Sequence, residues 1–154
     1  MKKTLIASAL AGSVLLAPIT AQAAPAPGTP NIPGSSELSS SIISPETNTV
    51  IAQTNAFRAS QGLPALAQDA RLNATATAWA EYLALTNQFK HANLGLVGAS
   101  AENIAKVGAV EHAVGAWENS PGHRANMVGA HRSVGIGIAR AWDGQIIVVQ
   151  EFGR

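Results

Sequence analysis

The sequence predicts an α+β domain in which helices come first and a β-hairpin closes the chain. Three observations carry this. The pairs Ser44-Pro45 and Ser120-Pro121 mark helix starts, because a serine oxygen can cap free backbone N–H groups and proline suits the first helical position, where no N–H is needed. Between them, Leu72, Ala76, Trp79, Ala80 and Leu83 recur at helical steps as a broad apolar stripe. Near the end, residues 133–141 and 145–152 are rich in Val and Ile and flank Asp143-Gly144, a dipeptide that favours the positive backbone angles of a tight hairpin turn.

Residues 1–23 read as an export signal. Lys2 and Lys3 form its positive start, residues 5–19 its apolar run with Pro18 inside, and Ala21-Gln22-Ala23 its small-residue cleavage pattern, which places the cut after Ala23. That run is too short and broken for a membrane span, and no other stretch approaches the roughly 20 apolar residues one needs, so a secreted, soluble and monomeric product is expected. Residues 24–44, with Pro25, Pro27, Pro30, Pro33, two glycines and a serine cluster, read as a linker. The remaining residues, 45–154, suit one domain. Without Lys2 and Lys3 the ten Lys and Arg become eight, against nine Asp and Glu, so nothing basic remains to recruit nucleic acid or anionic lipid. The chain has no cysteine, which excludes a disulfide framework and leaves the fold to its own core.

The elements follow in order. A first helix is expected over 45–61, with Val50, Ile51, Thr54 and Phe57 on one side, Asn55 and Arg58 sharing a face, and Gly62 with Pro64 as the stop. Asp69 caps the second helix, where Trp79 reads as core filler. After Asn87 the pattern loosens into Lys90-His91-Ala92-Asn93 and a glycine-containing loop, and residues 101–105 read as a short extended segment or turn entering the sheet. A third helix is expected over 109–117 and a short fourth over 121–127. The latter places His123 in its first turn, where the positive helix end disfavours imidazolium and keeps the ring neutral. Gly135 and Gly137 clear one face of a strand for close approach of a helix or ligand.

These residues carry a family resemblance. Asn55-x-x-Arg58, Gly62-Leu63-x-x-Leu66, Trp79-Ala80, His91, Glu102-Asn103-Ile104-Ala105, Trp117, Ser120-Pro121-Gly122-His123-Arg124-x-Asn126-Met127, Val134-Gly135-Ile136-Gly137 and Gln150-x-Phe152-Gly153 occur in one order. From about Thr47 onward the chain resembles the CAP superfamily, the SCP-like extracellular domain of cysteine-rich secretory proteins, antigen 5 and pathogenesis-related proteins, in its short cysteine-free bacterial form. The resemblance implies an α/β/α sandwich with a small antiparallel sheet between helical layers. It also implies a cleft of two histidines and two acids that in some members holds a divalent metal, with His91, Glu102 and His123 in three of the four places. Where the family has its second glutamate this chain has Ser120, and Glu118, directly after Trp117, is expected to point elsewhere.

Two imidazoles and one carboxylate would give a zinc-type ion three protein ligands and a free position for water. The alternative is a polar network in which Glu102 accepts from one or both rings. His112 and His131 read as surface residues, Ser120 as a helix cap, and Asn55, Arg58, Asn103, Arg124 and Asn126 as structural groups that close backbone polar atoms or brace loops. The expected function is a secreted binding or interaction module whose cleft takes a lipid-like molecule, a peptide or a protein surface. The alternative is a divalent-metal-dependent hydrolase, a peptidase or esterase, in the same cleft. The binding module is favoured because no separate general base or oxyanion donor can be assigned.

Overall fold

Ser44 opens the first helix, α1 (Pro45–Ser60), by accepting from Thr47 N–H at 3.1 Å, and Gly62 in a left-handed conformation (φ 71°) ends it. The computed structural model describes residues 44–154, so the export-signal and linker readings lie outside the described residues, apart from Ser44 itself. A two-residue strand β1 (Ala67–Gln68) follows, too short to leave a periodic signal in the sequence. Asp69 then caps α2 (Ala70–Thr86) by accepting from Arg71 and Leu72 N–H at 2.9 and 3.1 Å. The glycine-containing loop forms one helical turn, α3 (Leu94–Val97). The segment expected as a short extension or turn is a full strand, β2 (Ala101–Val107). Next come α4 (His112–Glu118), α5 (Pro121–Met127), β3 (Ser133–Arg140) and β4 (Ile146–Gly153).

Three expectations need correction. The third helix starts at His112, three residues late, because His112 and Ala113 N–H bond the carbonyls of Ala109 and Val110 in a tight turn. Ser120 holds the cap position, but its hydroxyl makes no cap bond; its carbonyl accepts from Arg124 N–H at 2.8 Å. The hairpin turn is wider than two residues. Gly144 N–H bonds Ala141 O, and of Asp143 and Gly144 only the glycine has positive φ (81°), the pattern of a three-residue loop ending in a left-handed residue.

The sheet runs β1-β3-β4-β2, with β3 and β2 antiparallel to β4 and β1 parallel to β3. Every residue of β4 is buried, as a central strand covered on both faces requires. Alternation divides them: Ile146, Val148 and Phe152 pack with Val50, Phe57, Trp117 and Met127 on the α1, α4 and α5 side, whereas Ile147 and Val149 meet Ala76, Ala80 and Leu83 of α2. The result is the α/β/α sandwich that the resemblance implied.

The close approach expected at Gly135 and Gly137 is made by a helix. A Cβ at Gly135 would overlap the backbone of Leu72 and Asn73, and one at Gly137 that of Ala76 and Thr77. Asn73, buried at the same contact, accepts from Ile136 N–H at 2.8 Å and so satisfies a donor on the open side of β3. Asn73→Ala strands that donor and should lower the unfolding free energy by about 1–3 kcal/mol in a urea titration. An unchanged midpoint would mean that water replaces the amide.

Candidate functional site

Three elements bring side chains to one cleft. His91 sits in the loop leaving α2, Glu102 is the second residue of β2, and His123 lies in the first turn of α5; with Leu94, Ser120 and Asn126 they line a cleft of about 470 Å³. His91 Nδ1 is 2.7 Å from Glu102 Oε1, which also accepts from Ala92 N–H at 3.0 Å. The acid's side chain is 1% exposed and the ring's is 61% exposed, so the carboxylate stands behind the ring and fixes it. With Nδ1 engaged, Nε2 is the His91 nitrogen left for a ligand.

The backbone around this cleft is tied by a buried amide relay. Asn103 Nδ2 donates to the His123 carbonyl at 3.1 Å and to Gln150 Oε1 at 3.0 Å. Asn126 Nδ2 donates to the Glu102 carbonyl and to Asn103 Oδ1, at 3.0 and 2.9 Å. Gln150 Nε2 in turn reaches Thr54 Oγ1 on α1 at 2.8 Å. Side chains of β4 and β2 thereby tie α1 to the turn of α5, in the same helical layer, that carries His123. The structural reading of Asn103 and Asn126 extends accordingly to positioning the cleft.

Asn55 exchanges two hydrogen bonds with the Leu66 peptide, and Arg58, fully buried, donates to the carbonyls of Pro64, Met127 and Gly129. Arg124 lies over the Phe57 ring and bonds Gln61 Oε1. Trp79 is half-buried, stacked on Tyr82 with its indole N–H on Lys90 O.

Electrostatics differ between the titrating groups. Burial raises the Glu102 carboxyl, opposed by the His91 hydrogen bond, the Ala92 N–H and the charge of the His91 ring. Burial lowers His123, and a positive His91 lowers it further, so the His123 ring is neutral at pH 7. Glu151 escaped the sequence reading. It is the direct cross-strand partner of Glu102, fully buried, and burial pushes its carboxyl up to about 7 against a hydrogen bond from Thr75 Oγ1. Among the described residues neither Glu102 Oε2 nor Glu151 Oε1 has a hydrogen-bond partner. Alternation along β4 was the available signal, since it puts Glu151 on the face of Ile147 and Val149, beneath α2.

Glu118 lies outside the cleft, in a separate recess with Gln53, Phe57 and Val114, and His112 is exposed. His131 is a correction. It is half-buried, stacked on Phe152 with ring centroids 4.7 Å apart and bonded through Nδ1 to Ser100 Oγ at 3.0 Å, because the chain entering β3 folds back over the end of β4.

A family model described as CAP, cysteine-rich secretory protein family, matches residues 51–152. No curated protein matches. Among solved structures, an outer surface protein from Borrelia burgdorferi aligns with a TM-score of 0.62 at 21% identity over 70% of this chain and 90% of its own. An extracellular protein containing an SCP domain from Bacillus anthracis gives 0.58 at 22% identity over 71% of this chain, and a cysteine-rich secretory protein from Staphylococcus aureus gives 0.52 at 17% over 69%. The chain spans 40% and 38% of the length of these last two. At such identities the likeness is one of fold.

Proposed function

The chain belongs to the cysteine-rich secretory protein family, the CAP family, and from that membership we propose that it acts outside the cell as a binding module, with the cleft of His91, Glu102 and His123 as its recognition site. The descriptions of the Borrelia and Bacillus proteins as outer-surface and extracellular support the location. Among the described residues no helix is long and apolar enough to cross a membrane. The observation that carries the reading is the His91–Glu102 pair opening beside a neutral His123 in one cleft.

The family implies a divalent ion here, and the donor chemistry suits one: a neutral imidazole at His123 and a second ring held at Nδ1 by a carboxylate. No three His, Asp or Glu groups among the described residues are gathered as a ligand set. The two histidines would therefore hold the ion while Glu102 orients His91. When bound, the ion supplies positive charge and open positions for an anionic or carbonyl group of the ligand.

Zinc should raise the melting temperature near pH 7.5, by the equivalent of about 2.7 kcal/mol at a hundredfold excess over its Kd, and should act less at pH 5, where protons compete for the rings. His91→Ala and His123→Ala should lose most of the rise; Glu118→Ala and His112→Ala should keep it. Equal responses in wild type and His123→Ala would remove the ion from the cleft. Chelator-sensitive cleavage of a peptide or ester would make the protein a hydrolase instead.

A further inference from the structure

The geometry points to the outer edge of β2 as the seat of an extended, uncharged polypeptide that adds to the sheet as a further strand and runs into the cleft. This deepens the binding-module reading and rests on it. In the order β1-β3-β4-β2, β2 is an edge, and its inner side is taken by β4 along all seven residues. Asn126 Nδ2 reaches the Glu102 carbonyl, so the peptide groups of Glu102 face away from β4. Alternation along an antiparallel ladder then turns those of Ile104 and Lys106 outward as well. No hydrogen bond among the described residues uses the outward N–H or C=O of Ile104 or Lys106. Asn126 closes one end of the edge and leaves the rest as a template.

The stretch from Ile104, 4% exposed, to exposed Lys106 borders a recess of about 360 Å³ that Phe89, Ala116 and Trp117 also line. Ser120 and His123 line both this recess and the cleft, so the two adjoin. Phe89 is 59% exposed, an apolar ring without cover. Outward peptide groups recurring every second residue, about 6.8 Å apart, match an extended backbone, whereas a lipid tail would leave them unpaired. Charge selects further: Lys106 is already paired with Asp143 at 2.7 Å, so the strand edge suits an uncharged segment with an apolar residue over Phe89 and Ile104.

The test is an NMR titration of the full chain with the capped hexapeptide Ac-Ser-Val-Ser-Ile-Ser-Val-NH2, with the same peptide N-methylated at alternate residues, and with palmitate. Shifts along β2, Phe89 and α4, slowed exchange of the Ile104 and Lys106 amides, and at least tenfold weaker binding of the N-methylated peptide are expected. Lys106→Pro, which deletes an outward N–H that β4 does not use, should weaken binding at least tenfold, while Lys106→Ala should bind within about twofold of wild type. Should Lys106→Pro fail to fold, the N-methylated peptide on wild type decides alone. Equal binding of both peptides, palmitate shifting the same residues, or Ile104 and Lys106 amides already protected in the free chain would overturn the proposal. A zinc response at His91 and His123 without edge pairing sinks the added strand and leaves the cleft reading standing, whereas edge pairing without a zinc response removes the ion from the cleft and leaves the binding module and its added strand standing.

Discussion

Gly137→Ala should cost the domain about 4 kcal/mol or more of its stability at 25 °C. The new methyl group would sit inside the backbone of Ala76 and Thr77, atoms that no rotamer change can move, so α2 must lift from β3 or the strand must bend. Overfilling a core at a flexible side chain costs about 1–3 kcal/mol, and a clash with helix backbone belongs beyond that range, at about 4 kcal/mol or more. That is a large fraction of the 5–15 kcal/mol typical of a domain, roughly its working margin. Gly115→Ala is the matched control. It lies inside α4 with nothing near its added carbon, so helix propensity should make it more stable by up to about 1 kcal/mol. Urea midpoints decide: a Gly137→Ala variant within about 1 kcal/mol of wild type would mean that the helix rides freely over the sheet.

The same contact shows what was legible in the sequence. Gly135 and Gly137 announced close approach, but whether to a helix or a ligand depended on where α2 would lie. Ser44 and Asp69 were readable because capping is settled within three residues of chain. Ser120 carries the same local signal, yet its hydroxyl makes no cap bond and the residue lines the cleft. His91, Glu102 and His123 were found through resemblance, and the structure places them in one cleft; the pairing of His91 Nδ1 with Glu102 could not be read from types and spacing. β1 was invisible because two residues carry no period. Half-buried His131 owes its surroundings to Ser100, far along the chain, so no local pattern could mark it; alternation along β4 puts Glu151 on the α2 face, but its burial against Thr75 and Glu102 depends on partners that the strand pattern does not name.

Glu151 is where that hidden burial has the largest consequence. Its carboxyl stands at about 7 in the folded protein against an ordinary 4.5, so between those values the folded state binds more protons than the unfolded chain. Its contribution is therefore fully favourable below about pH 4.5, and stability falls as pH rises through 7. The whole displacement corresponds to about 3 kcal/mol at most. Glu102 is raised by burial and works in the same direction, whereas His123 and His131 are lowered and oppose it, because they lose stability as pH falls through the ordinary histidine range. A difference measurement separates Glu151 from all three. Glu151→Gln keeps the shape of the protonated acid and a group able to bond Thr75, so at pH 5 it should match wild type within about 1 kcal/mol. At pH 8 it should be the more stable by about 2–3 kcal/mol, since the wild type must then bury an anion beside Glu102 with Oε1 unpartnered. Parallel stability curves for the two proteins from pH 5 to 8 would show that Glu151 stays ionised throughout, and that water or an ion reaches the oxygen that here has no partner.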